Sequence, residues 1–117
     1  MALRIDEKEL DGITVLALSG RVSLGEESSQ LRTKLREVLE SGKNHLVLDL
    51  GEVAYMDSAG LGTLVSAYTT ALNQGARMKL ANLTKKMHEQ LHITKLVTVF
   101  EVFESVDAAV KSFSAAS

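Results

Sequence analysis

The chain has 117 residues, 45% of them apolar and 24% charged, with a formal net charge of -2. That fits one domain with a real core. It argues against nucleic-acid or membrane-surface attraction, and the absence of cysteine excludes disulfide and thiol chemistry. No apolar run approaches the roughly 20 residues of a membrane helix. The charged, alternating N-terminus is unlike a secretion signal, so a cytoplasmic domain is expected.

Residues 2–10 (ALRIDEKEL) place Leu3 and Ile5 between charges, which predicts a half-exposed strand. Asp11-Gly12 is a strong hairpin turn. Ile13 to Leu18 is then a second strand, antiparallel to the first. Arg21 to Gly25 reads as a connection, with Ser23 or Gly25 preceding a helix that begins near Glu26. Two acids in its first turn suit the helix dipole. Leu31, Leu35, Val38 and Leu39 make its core stripe. Arg32, Lys34, Arg36, Glu37 and Glu40 make its wet side, and Gly42 ends it.

Leu46 to Leu50 is nearly unbroken in apolarity, as a strand buried on both faces requires. A short polar turn is expected next, then Met56-Asp57-Ser58-Ala59-Gly60-Leu61-Gly62. From there the period becomes helical. Leu61, Leu64, Val65, Tyr68 and Leu72 share one face, and Gly75 stands where a helix-ending glycine belongs.

Arg77 to Leu83 predicts a shorter strand. Thr84 can cap a helix containing Met87 and Leu91. Leu96 to Phe103 carries Val97, Val99, Phe100, Val102 and Phe103, residues with strand propensity. Ser105 caps a last helix with Val106, Ala109, Val110 and Phe113 on its apolar side, and residues 114–117 are expected to fray. The order ββαβαβαβα implies an α/β fold: a mixed, largely parallel sheet of about five strands with an N-terminal hairpin and about four helices, in one domain over residues 1–117.

The junction at Asp57 and Ser58 is the candidate site, because ligands and partners meet open α/β sheets at strand-to-helix turns. A helix start exposes unpaired N–H groups and about half a positive charge. Asp57 or Ser58 can cap those groups. Gly60 and Gly62 would let another surface approach the backbone, and a hydroxyl there can carry a phosphate on the helix dipole. Plain N-capping explains a polar residue at this junction but not two early glycines.

Other motifs are weaker. His88-Glu89-Gln90-Leu91-His92 matches the H-E-x-x-H zinc pattern, but no third ligand follows at a suitable spacing, so no metal is assigned. Gly60-x-Gly62 lacks the third glycine of a dinucleotide fingerprint, Val65 standing there, and no phosphate-loop lysine motif exists. No cofactor is assigned. Ser58 does not lie in G-x-S-x-G, and no catalytic residue is assigned. His45 lies at the other end of its strand.

Met56-Asp57-Ser58-Ala59-Gly60-Leu61-Gly62 after LVLDLGEVAY resembles the signature of bacterial anti-sigma factor antagonists, the STAS domain family. The opening hairpin, Asn73-Gln74-Gly75 and Ile93-Thr94-Lys95-Leu96 before Val99-Phe100 agree with it over nearly the whole chain. The resemblance implies a non-enzymatic switch that binds an anti-sigma factor, often a serine kinase, and so releases a sigma factor. It implies phosphorylation of Ser58 by that kinase and reversal by a phosphatase. Asp57, Ser58, Ala59, Gly60, Leu61, Gly62 and Ser23 would meet the partner. Phosphorylated members usually carry an aspartate shortly after the second strand; here that stretch is Arg21-Val22-Ser23-Leu24-Gly25, with acids only at Glu26 and Glu27. The alternative is a STAS scaffold or nucleotide-binding module not regulated at Ser58.

Overall fold

A computed structural model describes residues 3–115. Ten elements follow in chain order: β1 (Leu3–Leu10), β2 (Ile13–Val22), α1 (Glu26–Glu40), β3 (His45–Met56), α2 (Ser58–Asn73), β4 (Arg77–Ala81), α3 (Lys85–Ile93), a single 3-10 turn (Leu96–Thr98), β5 (Val102–Phe103) and α4 (Val106–Ala115). The strands form one sheet in the order β1-β2-β3-β4-β5. β1 pairs antiparallel to β2, and every other pair is parallel. This is the expected ββαβαβαβα arrangement.

The hairpin closes through Asp11 and Gly12, both at positive φ (53° and 80°), which matches the right-handed twist of the strands they join. Leu31, Leu35, Leu61, Leu64, Met87 and Leu91 bring α1, α2 and α3 onto one sheet face, against Leu16, Leu18, Leu46, Leu48 and Leu80. On the other face, Ala109 and Val110 of α4 cover Ile13, Val15, Val47 and Ala81. Burial on both faces explains the continuous apolar run of β3. Lys79 points into this second layer. Its Nζ donates to Ser112 Oγ at 2.7 Å and lies 4.1 Å from the Phe113 ring centroid.

Five expectations are corrected. The strand expected over Leu96 to Phe103 is a left-handed Lys95 (φ 61°), a 3-10 turn and only two paired residues. Only Val102 and Phe103 pair, with Leu80 and Ala81 of β4, while Phe100 is drawn into the core beside Tyr68. The polar turn expected after Leu50 is strand: β3 continues to Met56, paired with Ser19 to Val22 of β2 across two register shifts. Arg21 and Val22 accordingly belong to β2. Leu72 is not core; Ala71 takes the buried position and Leu72 is 42% exposed. Of the residues expected to fray, Ser114 and Ala115 complete α4, while 116 and 117, like the Ala2 start assigned to the first strand, lie outside the described residues.

Candidate functional site

β3 ends at Met56 and α2 begins at Ser58. Of the two possible caps, Asp57 is the one used. Its backbone is extended, and Oδ1 accepts the Gly60 N–H at 3.0 Å. Its other oxygen, Oδ2, accepts the Leu24 N–H at 2.9 Å. One carboxylate therefore joins the start of α2 to the β2–α1 loop. The Gly60 N–H and then the Leu24 N–H hold the Asp57 carboxyl below its usual pKa, because both bonds favour the charged form.

Ser58 is the first residue of α2 and is exposed. Its hydroxyl stands at the start of the helix, where the helix field favours an anion. Ala59 is half-buried and Gly62 exposed. Gly60 and Leu61 turn inward instead. Leu61 is 5% exposed and packs in the core. A Cβ on Gly60 would lie 2.6 Å from the Val22 carbonyl oxygen and 2.7 Å from Met56 Cγ. The close approach that the glycine permits is thus made by β2 and β3 of the same chain. Of the two helix glycines, Gly62 is the one with open space beside it.

Ser23 lies in the loop next to Leu24. Its N–H donates to Glu27 Oε1 at 3.2 Å, and its hydroxyl donates to the same oxygen. An acid does come back to this loop, therefore, from the first turn of α1. Leu24 was not anticipated. It is 80% exposed in the loop that Asp57 holds. A large apolar residue between Ser23 and Gly25 was its only trace in the sequence.

Beside Met56, a groove of about 250 Å³ lies between the end of β3 and α3, lined by Tyr55, Met56, Met87, Gln90 and Ile93 among others. Gln90 Nε2 donates to the Met56 carbonyl at 2.6 Å. His88 and His92 are both exposed on α3, and among the described residues no group of three potential metal ligands occurs. His45, 4.6 Å from the Phe113 ring, opens β3 while Ser58 follows its end. A twisted, bulged strand of that length still spans on the order of 30 Å, so this imidazole does not serve the Ser58 hydroxyl. No helix among the described residues is long and apolar enough to cross a membrane.

This strand-to-helix turn, on this topology, is that of a STAS domain: residues 4–109 match the STAS domain model, and the chain belongs to that family. It is 28% identical over 111 residues to the anti-sigma-B factor antagonist of Bacillus subtilis, covering 95% of this chain and 100% of that one. The crystal structure of an anti-sigma factor antagonist from Mycobacterium paratuberculosis has a TM-score of 0.82 at 21% identity, covering 95% and 93% of the two chains. The anti-sigma factor antagonist SpoIIAA has the same fold. Its unphosphorylated form gives a TM-score of 0.72 at 15% identity, with 97% and 98% covered. The phosphorylated form of SpoIIAA, the Bacillus cell fate determinant, gives 0.73 at 16%, with 94% and 99% covered.

Proposed function

We propose that this chain is a non-enzymatic anti-sigma factor antagonist. It binds a cytoplasmic anti-sigma factor that is itself a serine kinase, and so frees a sigma factor. Phosphorylation of Ser58 turns it off, and a phosphatase restores it. The observation that carries this reading is the exposed Ser58 hydroxyl at the first position of α2, next to an Asp57 carboxylate already engaged by two backbone N–H groups. The curated relative named for antagonism of an anti-sigma factor, matched over almost the whole chain, supports it.

A phosphoryl group on Ser58 adds about -1.5 to -2 charge. On the free protein the helix N-terminus and water accommodate it. In a closed interface the same charge is stripped of water beside Asp57, whose donors are already committed. Burying an unpaired charge costs several kcal/mol, and about 4 kcal/mol is a thousandfold in affinity. No refolding is needed, since the added charge acts at the surface of the turn. Ser58, Ala59, Gly62 and Ser23 form the partner-facing set. Asp57 shapes the turn, and Gly60 and Leu61 act from beneath the surface by fixing it.

The test is phosphate mapping. The chain is incubated with its cognate anti-sigma factor and ATP, digested and analysed by mass spectrometry. One phosphate is expected, on the peptide containing Ser58, and none on Ser58→Ala. Stable binding to the anti-sigma factor with no modification of Ser58 would favour the unregulated scaffold instead.

A further inference from the structure

β3 runs well past its neighbour. Its last pair with β4 is Asp49 with Ala81, yet it continues to Met56. Among the described residues, no strand pairs with this side of β3 between Glu52 and Met56. The missing neighbour's place is a groove whose far wall is α3. Free strand edges are templates for another strand. Here the side-chain amide of Gln90 already donates to the Met56 carbonyl, as a partner strand's N–H would. The apolar side chains along the groove are left open. Tyr55 is 45% exposed and Ile93, at the end of α3, is 79% exposed. The groove's lining reaches Met56, two residues before Ser58.

We infer that this groove receives an extended, apolar segment of the anti-sigma partner, which adds as a short strand beside residues 52–56 of β3 and rests an aliphatic side chain on Ile93 and Met87. The inference rests on the proposed function for the partner's identity. Backbone pairing gives such a site its affinity, and the groove's side chains give it selectivity. An amphipathic helix would fill the groove but could not extend the sheet beyond the last β3–β4 pair, Asp49 with Ala81. The two register shifts in β3, opposite Ala17–Ser19 and Gly20–Arg21, limit the added strand to a few residues. Bulges of this kind also keep an edge from pairing indefinitely with copies of itself. The site lies alongside the phosphorylatable turn, so one partner engages both.

The experiment combines calorimetry and amide hydrogen exchange with the cognate anti-sigma factor. Ile93→Lys should fold normally, since the side chain is mostly in solvent, and should bind at least tenfold more weakly. In the wild-type complex, amides of residues 52–56 should exchange more slowly than in the free chain. Unchanged affinity for Ile93→Lys, or unchanged exchange at 52–56, would overturn the strand addition. So would a dimer of the free chain, seen by analytical ultracentrifugation and dissolved by Ile93→Lys, because it would give the groove to a second copy. Ser58→Asp is titrated in parallel. Loss of binding there with Ile93→Lys unaffected removes only the groove; the reverse removes only the phosphate switch.

Discussion

Gly60 and Gly62 stand two residues apart at the start of α2 and face opposite demands. Gly60 is wedged against β2 and β3, where a methyl group would collide with the Val22 carbonyl and Met56. Gly62 looks into open space and carries only the entropic penalty of glycine in a helix. Gly60→Ala is therefore expected to destabilise by about 1–3 kcal/mol, the usual range for overpacking. Gly62→Ala is expected to stabilise by about 0.5–1 kcal/mol. Urea midpoints measure both, and equal effects of the same sign would refute this division. Gly62→Ala also adds a methyl group to the proposed contact surface, so affinity for the anti-sigma factor should fall while stability rises. The sequence showed that both glycines were unusual. It did not show that one of them answers to a carbonyl 38 positions earlier in the chain.

At the scale of elements, the Asp57 carboxylate is a joint between α2 and the β2–α1 loop. Its pKa is lowered in the folded chain, so it contributes stability above its unfolded pKa, and that contribution is lost as pH falls through the folded value. Asp57→Asn should accordingly flatten the decline of the urea midpoint in acid, below the ordinary carboxylate range, while lowering the midpoint at neutral pH. Some acid sensitivity should remain, because Glu7, held low first by its bond to Lys34, titrates in the same direction. An identical pH profile for wild type and Asp57→Asn would contradict the joint.

The elements also divide by how legible they were. The hairpin, α1 and the start of α2 are set by local chemistry: a turn dipeptide, a repeating apolar stripe, a capping acid. The end of β3 and the 96–103 segment are set by which neighbours a strand finds, and strand propensity is largely a record of packing. Leu96 to Phe103 had the composition of a strand, but only two of its residues pair with β4, and Phe100 packs in the core instead. Gly51 to Tyr55 had the composition of a turn, but Glu52, Val53 and Tyr55 find partners in β2. The Asp57-Ser58 junction was readable for the same reason as the hairpin. The Leu24 link and the Gln90 contact were not, because each joins residues more than 30 positions apart.

Taken as a whole, the molecule places three of its exposed apolar side chains, Leu24, Tyr55 and Ile93, on the elements that meet around the end of β3. α4 covers the opposite face of the sheet near the strands' beginnings, where His45 stacks on Phe113. On the proposed function, the end of the sheet around Ser58 is the binding surface, the closed core behind it stays fixed, and the charge of a phosphoryl group decides docking. The direct measurement is a pair of calorimetric titrations of the cognate anti-sigma factor, one with unmodified chain and one with chain stoichiometrically phosphorylated on Ser58, alongside amide NMR spectra of both. A loss of affinity of about a hundredfold or more, with spectral changes confined to the residues around the β3–α2 turn, is the expected result. Equal affinity for the two forms, or a spectrum altered throughout the sheet, would contradict it.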